Sequence, residues 1–233
     1  MVNALYFVAK QYLLKSPEIF RHRMEYYAER IANKCGWLVH TVWGFIDGTL
    51  RRTCCPLYFQ KLLYSGHEQA HGIKFQSVVT PDGLFPCFFG PINGNQHDSY
   101  MLARSKLIPK LQDFMPAQNE REGVADAAGN SIISRNGDPA YPQSRYIFGG
   151  YRNPPPGSAQ ARWNTEMSKV CEVVEWGFAN LISNWAFLDF KASMMIFQSP
   201  VAKYYIVAAF LNNLRICSNT SDFFGKYYLQ SQH

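Results

Sequence analysis

Residues 73–92, IKFQSVVTPDGLFPCFFGPI, constrain the fold more tightly than any other stretch of this chain. Two β-branched and aromatic runs flank Pro81-Asp82-Gly83. Proline fixes φ, aspartate offers the backbone a side-chain acceptor, and glycine frees φ, so the chain reverses there. The flanking runs, IKFQSVVT (73–80) and LFPCFFGPI (84–92), then pair as antiparallel strands, with Pro86 marking the second as an edge strand or a bulge. Upstream, WLVHTVWGFID (37–47) has the same character and ends in Asp-Gly, so it reads as a buried strand closed by Asp47.

The remaining pattern is mostly helical. Ser16-Pro17-Glu18 supplies a hydroxyl cap, a proline in the first turn and an acid at the positive end of the dipole, predicting a helix that closes at Gly36. SYMLARSKLIPKLQDFM (99–115) reads as helical turns broken at Pro109, and PAQNEREGVADAAGN (116–130) as a polar loop. SIIS (131–134) is a weak fourth strand. A proline-rich loop, YRNPPPGSAQ (151–160), leads into a long helix with Val170, Val173, Val174, Phe178, Leu181 and Trp185 on one side. Ser199-Pro200 opens a last helix through VAKYYIVAAFLNNLRIC. Strands alternating with helices specify one α/β domain on a mixed sheet with a helical lead-in. At 47% hydrophobic and 15% aromatic residues, the chain can bury such a core.

Several function classes drop out. His67-Glu68-Gln69-Ala70-His71 matches H-E-x-x-H, a zinc hydrolase pattern that works only on a helix. Here it lies between Gly66 and Gly72 with a strand starting at Ile73, too short a span for a stable helix, so both histidines read as turn residues. The six cysteines (Cys35, Cys54, Cys55, Cys87, Cys171, Cys217) include no C-x-x-C pair and read as free thiols of a reducing compartment. Lys10 interrupts the apolar N-terminus and no small-residue cleavage site follows it, so a signal peptide is not expected. The apolar run YYIVAAFL is far below the roughly 20 residues of a membrane span. A soluble, intracellular chain is expected.

Acids at element ends carry the remaining chemistry. Asp47 closes the first strand, Asp138 follows the fourth, and Glu175 lies in the helix after it. In a mixed sheet the C-terminal ends of neighbouring strands open onto a shared crevice, and a helix across the sheet can lower a carboxylate into it. Three carboxylates converging there would hold two Mg²⁺ or Mn²⁺ ions, an arrangement suited to in-line phosphoryl displacement. Each acid also has a plain structural explanation: Asp47-Gly48 as a hairpin turn, Asp138-Pro139 as a turn start, Glu175 as a solvated helix residue. The balance of 23 Lys and Arg against 17 Asp and Glu, a net charge of +6, suits a polyanionic partner.

Five ordered motifs, WGFIDGT, YSGHEQAHGIKFQSVVTPDG, GPINGNQHDSYML, GDPAYP and VVEWGFANL, resemble the DDE-superfamily endonuclease domain of PIF/Harbinger-type transposases, especially transposon-derived genes of oomycetes and fungi. The likeness spans residues 37–225. It implies a ribonuclease H-like fold, a five-stranded mixed sheet with helices on both faces, whose fifth strand falls within SRYIFGGY (144–151). Residues 1–36 would be a helical N-terminal lead-in and 37–233 the endonuclease domain. Asp47, Asp138 and Glu175 occupy the family's three catalytic, metal-binding positions, with two Mg²⁺ or Mn²⁺ ions as cofactors. Asp98 of QHDSYM matches a further acid, either a supporting group or helix cap, or a direct metal ligand. Arg51, Arg52, Lys61, Lys74, Arg145 and Arg152 stand beside the acidic motifs as candidate DNA-phosphate contacts. The implied activity is metal-dependent cleavage of DNA phosphodiester bonds, followed in a transposase by attack of the freed 3′ hydroxyl on target DNA. The implied setting is the nucleus. Expected partners are DNA, a separate Myb-like DNA-binding protein as in some relatives, and a second copy of the chain.

The chain departs from the family pattern in several places. Leu50-Arg51 follows Thr49 where His-Ile is usual. Trp176, Asn180, Ile182, Ser183 and Asn184 fill places that are often Arg or Lys, and Glu68 stands where Lys is common. The SRNGD run is polar where an apolar strand usually leads to Asp138, and no recognisable DNA-binding domain precedes residue 37. Two outcomes follow from this pattern: an active DDE nuclease, or a catalytically inactive or domesticated relic that binds DNA or protein. A phosphohydrolase for small substrates would instead need a closed pocket.

Overall fold

The computed structural model describes residues 2–15, 23–35, 42–114, 131–134, 141, 146–151, 153–189 and 194–218. In chain order its elements are helices α1 (Val2–Lys15) and α2 (Met24–Cys35), strand β1 (Val42–Arg52), the short helix α3 (Gln60–Leu63), and strands β2 (Tyr64–Ser65), β3 (Ala70–Val79) and β4 (Cys87–Asn93). Helices α4 (Asp98–Ser105) and α5 (Leu107–Phe114), strands β5 (Ser131–Ser134) and β6 (Ile147–Phe148), and helices α6 (Ala159–Asn184) and α7 (Val201–Ser218) follow.

The central hairpin forms as its residues dictate. Gly83 takes φ 81°, and its N–H donates to the Thr80 carbonyl at 2.8 Å. The Asp82 carboxylate accepts from the Leu84 N–H. β3 pairs antiparallel with β1 on one side and with β4 and β2 on the other, while β5 lies parallel to β1 and to β6. The main path is therefore β4-β3-β1-β5-β6, antiparallel through its first three strands and parallel beyond, with β2 as a short appendage. The protein is a mixed α/β structure.

The two faces of β1 go to different cores, by simple alternation from Phe45 onward and with an irregularity between Val42 and Gly44 that puts Trp43 on the Ile46 side. Phe45 joins Phe75 and Val79 of β3, Phe178 and Leu181 of α6, and Tyr205 and Ala209 of α7. Trp43 and Ile46 join Val78, Leu102 of α4, Leu107 and Leu111 of α5, and Ile147 of β6. Helices thus cover both faces of the sheet. The Ser158 hydroxyl caps α6 by accepting from the Ala161 N–H at 3.1 Å.

Three expectations need correction. β1 does not end at Asp47-Gly48 but continues to Arg52, because β3 begins early enough to pair every residue from Gly48 (opposite Gln76) to Arg52 (opposite Gly72). Asp47-Gly48 is consequently no hairpin turn. His67 does lie in a turn outside any helix, whereas His71 is already in β3, opposite Tyr64 of β2. The break in 98–114 falls at Lys106, in the left-handed region at φ 53°, and not at Pro109. That proline sits in the first turn of α5, where its missing N–H costs no intrahelical bond. The apolar N-terminus, for its part, forms the helix α1. Its Tyr12 stacks on Phe210 of α7 at 5.8 Å between centroids, and Lys203 of α7 donates to the Asn3 side chain at 2.8 Å. The predicted helix start at Ser16-Pro17, the 116–130 loop and the segment bearing Asp138 lie outside the described residues. Among the described residues no helix is long and apolar enough to cross a membrane.

Tyr27 of α2 ties the helical lead-in to the hairpin turn, its buried hydroxyl donating to Asp82 at 2.6 Å beside Arg23. Burial, then the Asp82 charge, pushes the phenol well above its usual value. A phenol raised in the folded state contributes stability that is whole below its unfolded pKa, near 10, and is lost as pH climbs through the folded value. Chemical denaturation should therefore show stability falling above pH ~10. Tyr27→Phe should flatten part of that fall and cost about 1–2 kcal/mol at neutral pH, the worth of a hydrogen bond to a charged group.

Candidate active site

Asp47 sits in the interior of β1, only 8% exposed, directly opposite Ser77 of β3. One carboxylate oxygen accepts from the Gly48 N–H at 2.8 Å. By strand alternation its side chain belongs to the Phe45 face, which α6 and α7 cover.

Glu175 rides on α6, exposed on the flank of that helix. The helix meets the sheet at Gly177, where a Cβ would lie 2.9 Å from a Val79 methyl. Val79 is the β3 partner of Phe45, two residues before Asp47. Glu175 lies two residues before that contact, about 200° round the helix from it, so it points away from the sheet, in keeping with its exposure. β5 is described to Ser134, opposite Ile46, and Asp138 lies four residues further, outside the described residues. The structure thus brings Asp47 and the Glu175 helix to one face and leaves the third acid undescribed.

Asp98 is on the other face. At the head of α4 its carboxylate lies 3.0 Å from where a Gly48 Cβ would be, beside Met101. Its other oxygen accepts from Lys74 Nζ at 2.9 Å. Lys74 stands opposite Leu50, on the same side as Gly48 and Ile46. A side chain at residue 48 would crowd the Asp98 and Met101 side chains of this helix head, a closeness that is invisible until α4 is placed.

The candidate phosphate contacts divide. Arg51 is 6% exposed, with Nη2 3.4 Å from the Asp189 carboxylate and its guanidinium over the Tyr205 ring. Its buried Nε has no hydrogen-bond partner. Burial drives the Tyr205 phenol above its usual range, with the Arg51 charge pulling it partly back. Arg52 is half-exposed and pairs with Glu68 at 3.4 Å. Lys74 is engaged by Asp98, while Lys61 is exposed on α3. Arg145 and Arg152 lie outside the described residues.

Asp47 and Glu175 offer the hard carboxylate oxygens that Mg²⁺ and Mn²⁺ prefer. No group of three His, Cys, Asp or Glu residues able to hold a metal occurs among the described residues, which exclude Asp138. Two contributors to this arrangement escape the acid pattern. Asp189 anchors Arg51 from 138 positions away, and Gly177 sets the depth of α6. Only Gly177 leaves a sequence signal, a glycine inside a long helical pattern, which marks close packing when it is retained.

No curated protein and no solved structure matches this chain. The family described as DDE superfamily endonuclease matches over residues 46–213, from the strand bearing Asp47 into α7. Well over half its length being covered, the chain belongs to the DDE superfamily endonucleases.

Proposed function

We propose that this chain is a PIF/Harbinger-type transposase endonuclease in which Asp47, Asp138 and Glu175 hold two Mg²⁺ or Mn²⁺ ions for cleavage of DNA phosphodiester bonds and strand transfer. The observation that carries the reading is the buried carboxylate of Asp47 inside β1, on the face that α6 crosses two residues after Glu175. A mixed sheet with helices on both faces supports a ribonuclease H-like fold. When bound, the ions would stabilise charge on the attacking and leaving oxygens of an in-line displacement. The protein's own part is to keep Asp47 rigid by strand pairing on both sides of β1 and to set the approach of Glu175 through α6. In this reading the protein works in the nucleus on DNA, with a Myb-like partner protein and a second copy of the chain.

Supercoiled plasmid incubated with the protein and Mn²⁺ is the direct test. Nicked circles from wild type, and none from Asp47→Ala, Asp138→Ala or Glu175→Ala, are expected. Plasmid and transposon-end oligonucleotides left intact by wild type in both Mg²⁺ and Mn²⁺ would overturn the nuclease reading. A DNA- or protein-binding relic would then be the better account. One observation favours that alternative: Arg51, Arg52 and Lys74 are each paired with a carboxylate, so the described phosphate-gripping charge near Asp47 is partly neutralised.

A further inference from the structure

Beyond Asp47, the end of β1 leads to the most exposed apolar surface of the described protein. Leu57 is 85% exposed, Tyr58 71%, Phe59 63% and Phe197 72%, with Leu62 and Tyr64 also open to solvent. A soluble surface seldom leaves so many large side chains uncovered together without a binding role. The Phe59 and Phe197 rings meet at 6.1 Å between centroids, tilted by 57°. Both residues have left-handed backbones, at φ 61° and 75°. Such a conformation is costly for a bulky side chain and persists where the surroundings impose it.

Those surroundings are well defined. Thr53 N–H donates to the His71 carbonyl at 2.9 Å, Cys54 N–H to Met194 at 3.2 Å, and Asn95 N–H to Leu62 at 3.1 Å. The 53–63 segment is thereby tied to β3, to the segment before α7 and to the turn after β4. The aromatic display is preorganised, which lowers the entropy lost when a ligand orders against it.

Charge selects the occupant. Lys61 is exposed within the aromatic cluster, while Arg52, His67 and His71 lie along the same stretch. The one acid from Arg52 to His71, Glu68, is paired with Arg52. Flat apolar rings beside the exposed ammonium of Lys61 fit a strand of unpaired nucleotides, whose bases stack and whose phosphates are anionic, better than an apolar protein face. Five strand residues, about 17 Å, run from Asp47 to the end of β1 at Arg52, and the platform lies beyond that end.

We propose that Tyr58, Phe59 and Phe197, with Lys61 on the backbone, form a stacking platform for unpaired bases of a DNA strand. This rests on the DNA reading above. It would give the enzyme a hold on DNA that is melted or frayed beside the cut, independent of sequence.

Binding measured by fluorescence anisotropy in EDTA separates this platform from catalysis. The probes are a fluorescein-labelled oligo-dT of twenty nucleotides and a labelled duplex of the same length. Phe59→Ala/Phe197→Ala should weaken oligo-dT binding about tenfold or more, while duplex binding changes little. Tyr58→Ala, at an ordinary backbone position, should weaken it several-fold. Phe59→Trp should retain it, since the indole also stacks. If wild type binds neither probe, the DNA reading fails and this inference with it. Duplex binding together with oligo-dT binding unaffected by these substitutions overturns the platform alone. Light scattering supplies the remaining outcome: a wild-type dimer that the double variant dissociates, with oligo-dT binding unchanged, would make a second copy the occupant and overturn the proposal.

Discussion

Asp47→Asn is expected to lower Mn²⁺-dependent nicking by about a thousandfold or more, against less than tenfold for Asp98→Asn. Both acids lie beside Gly48, Asp47 as its neighbour in β1 and Asp98 against its α-carbon, so nearness to that glycine cannot rank them. Geometry does. Asp47 belongs to the face crossed by α6, and a metal carboxylate lost there removes several kcal/mol of charge stabilisation, each ~1.4 kcal/mol being a factor of ten. Asp98 lies over the opposite side of β1, already neutralised by Lys74 at 2.9 Å. Its loss strands a largely buried ammonium, so its cost should appear as about 1–3 kcal/mol of stability, discounted from the fully buried case because both groups keep some solvent contact. Thermal denaturation and nicking rates measured on both variants separate the roles. An Asp98→Asn variant with wild-type stability and as little activity as Asp47→Asn would make Asp98 a metal ligand and refute the assignment by face.

The features of the fold that sequence makes legible are those with local causes. Pro81-Asp82-Gly83 turns because three adjacent residues require it, and α6 starts at Ser158 because a hydroxyl is there to receive the Ala161 N–H. What escapes depends on distant partners. Asp47-Gly48 resembles a hairpin end because Asp-Gly is a turn pair, and only the reach of β3 back to Ala70 keeps β1 extended through Arg52. The packing partner of α1 is hard to anticipate because it is α7, at the far end of the chain. Arg51 looks like a surface cation in sequence, yet it packs over the Tyr205 ring of α7 and meets Asp189, five residues beyond α6, and both reach it only through the tertiary fold. For the site, residue type and order single out the acids, but which face each one serves depends on strand register and helix placement.

Register and helix placement meet at Gly177, and substituting alanine there should couple stability to activity. Alanine in a helix interior is intrinsically favoured over glycine by about 1 kcal/mol. Against that, its methyl would sit 2.9 Å from a methyl of fully buried Val79, a separation real side chains do not tolerate. Val79 is held by strand pairing and by the aromatic core, so the helix must yield. Overpacking of this kind costs about 1–3 kcal/mol, so Gly177→Ala should be neutral to destabilising by about 2 kcal/mol despite the better helix former. If Glu175 serves as proposed, the larger effect falls on chemistry: lifting α6 shifts Glu175 relative to Asp47, and a displacement of about 1 Å can cost a hundredfold in rate. Val79→Ala makes room for the new methyl while emptying part of the core. In that background Gly177→Ala should become stabilising, and nicking should recover a substantial part of the hundredfold loss. A double-mutant cycle on stability and on nicking rate tests both statements. Strict additivity, within about 0.5 kcal/mol, would mean that the Gly177–Val79 contact does not set the height of α6 and that Glu175 is positioned by some other part of the helix.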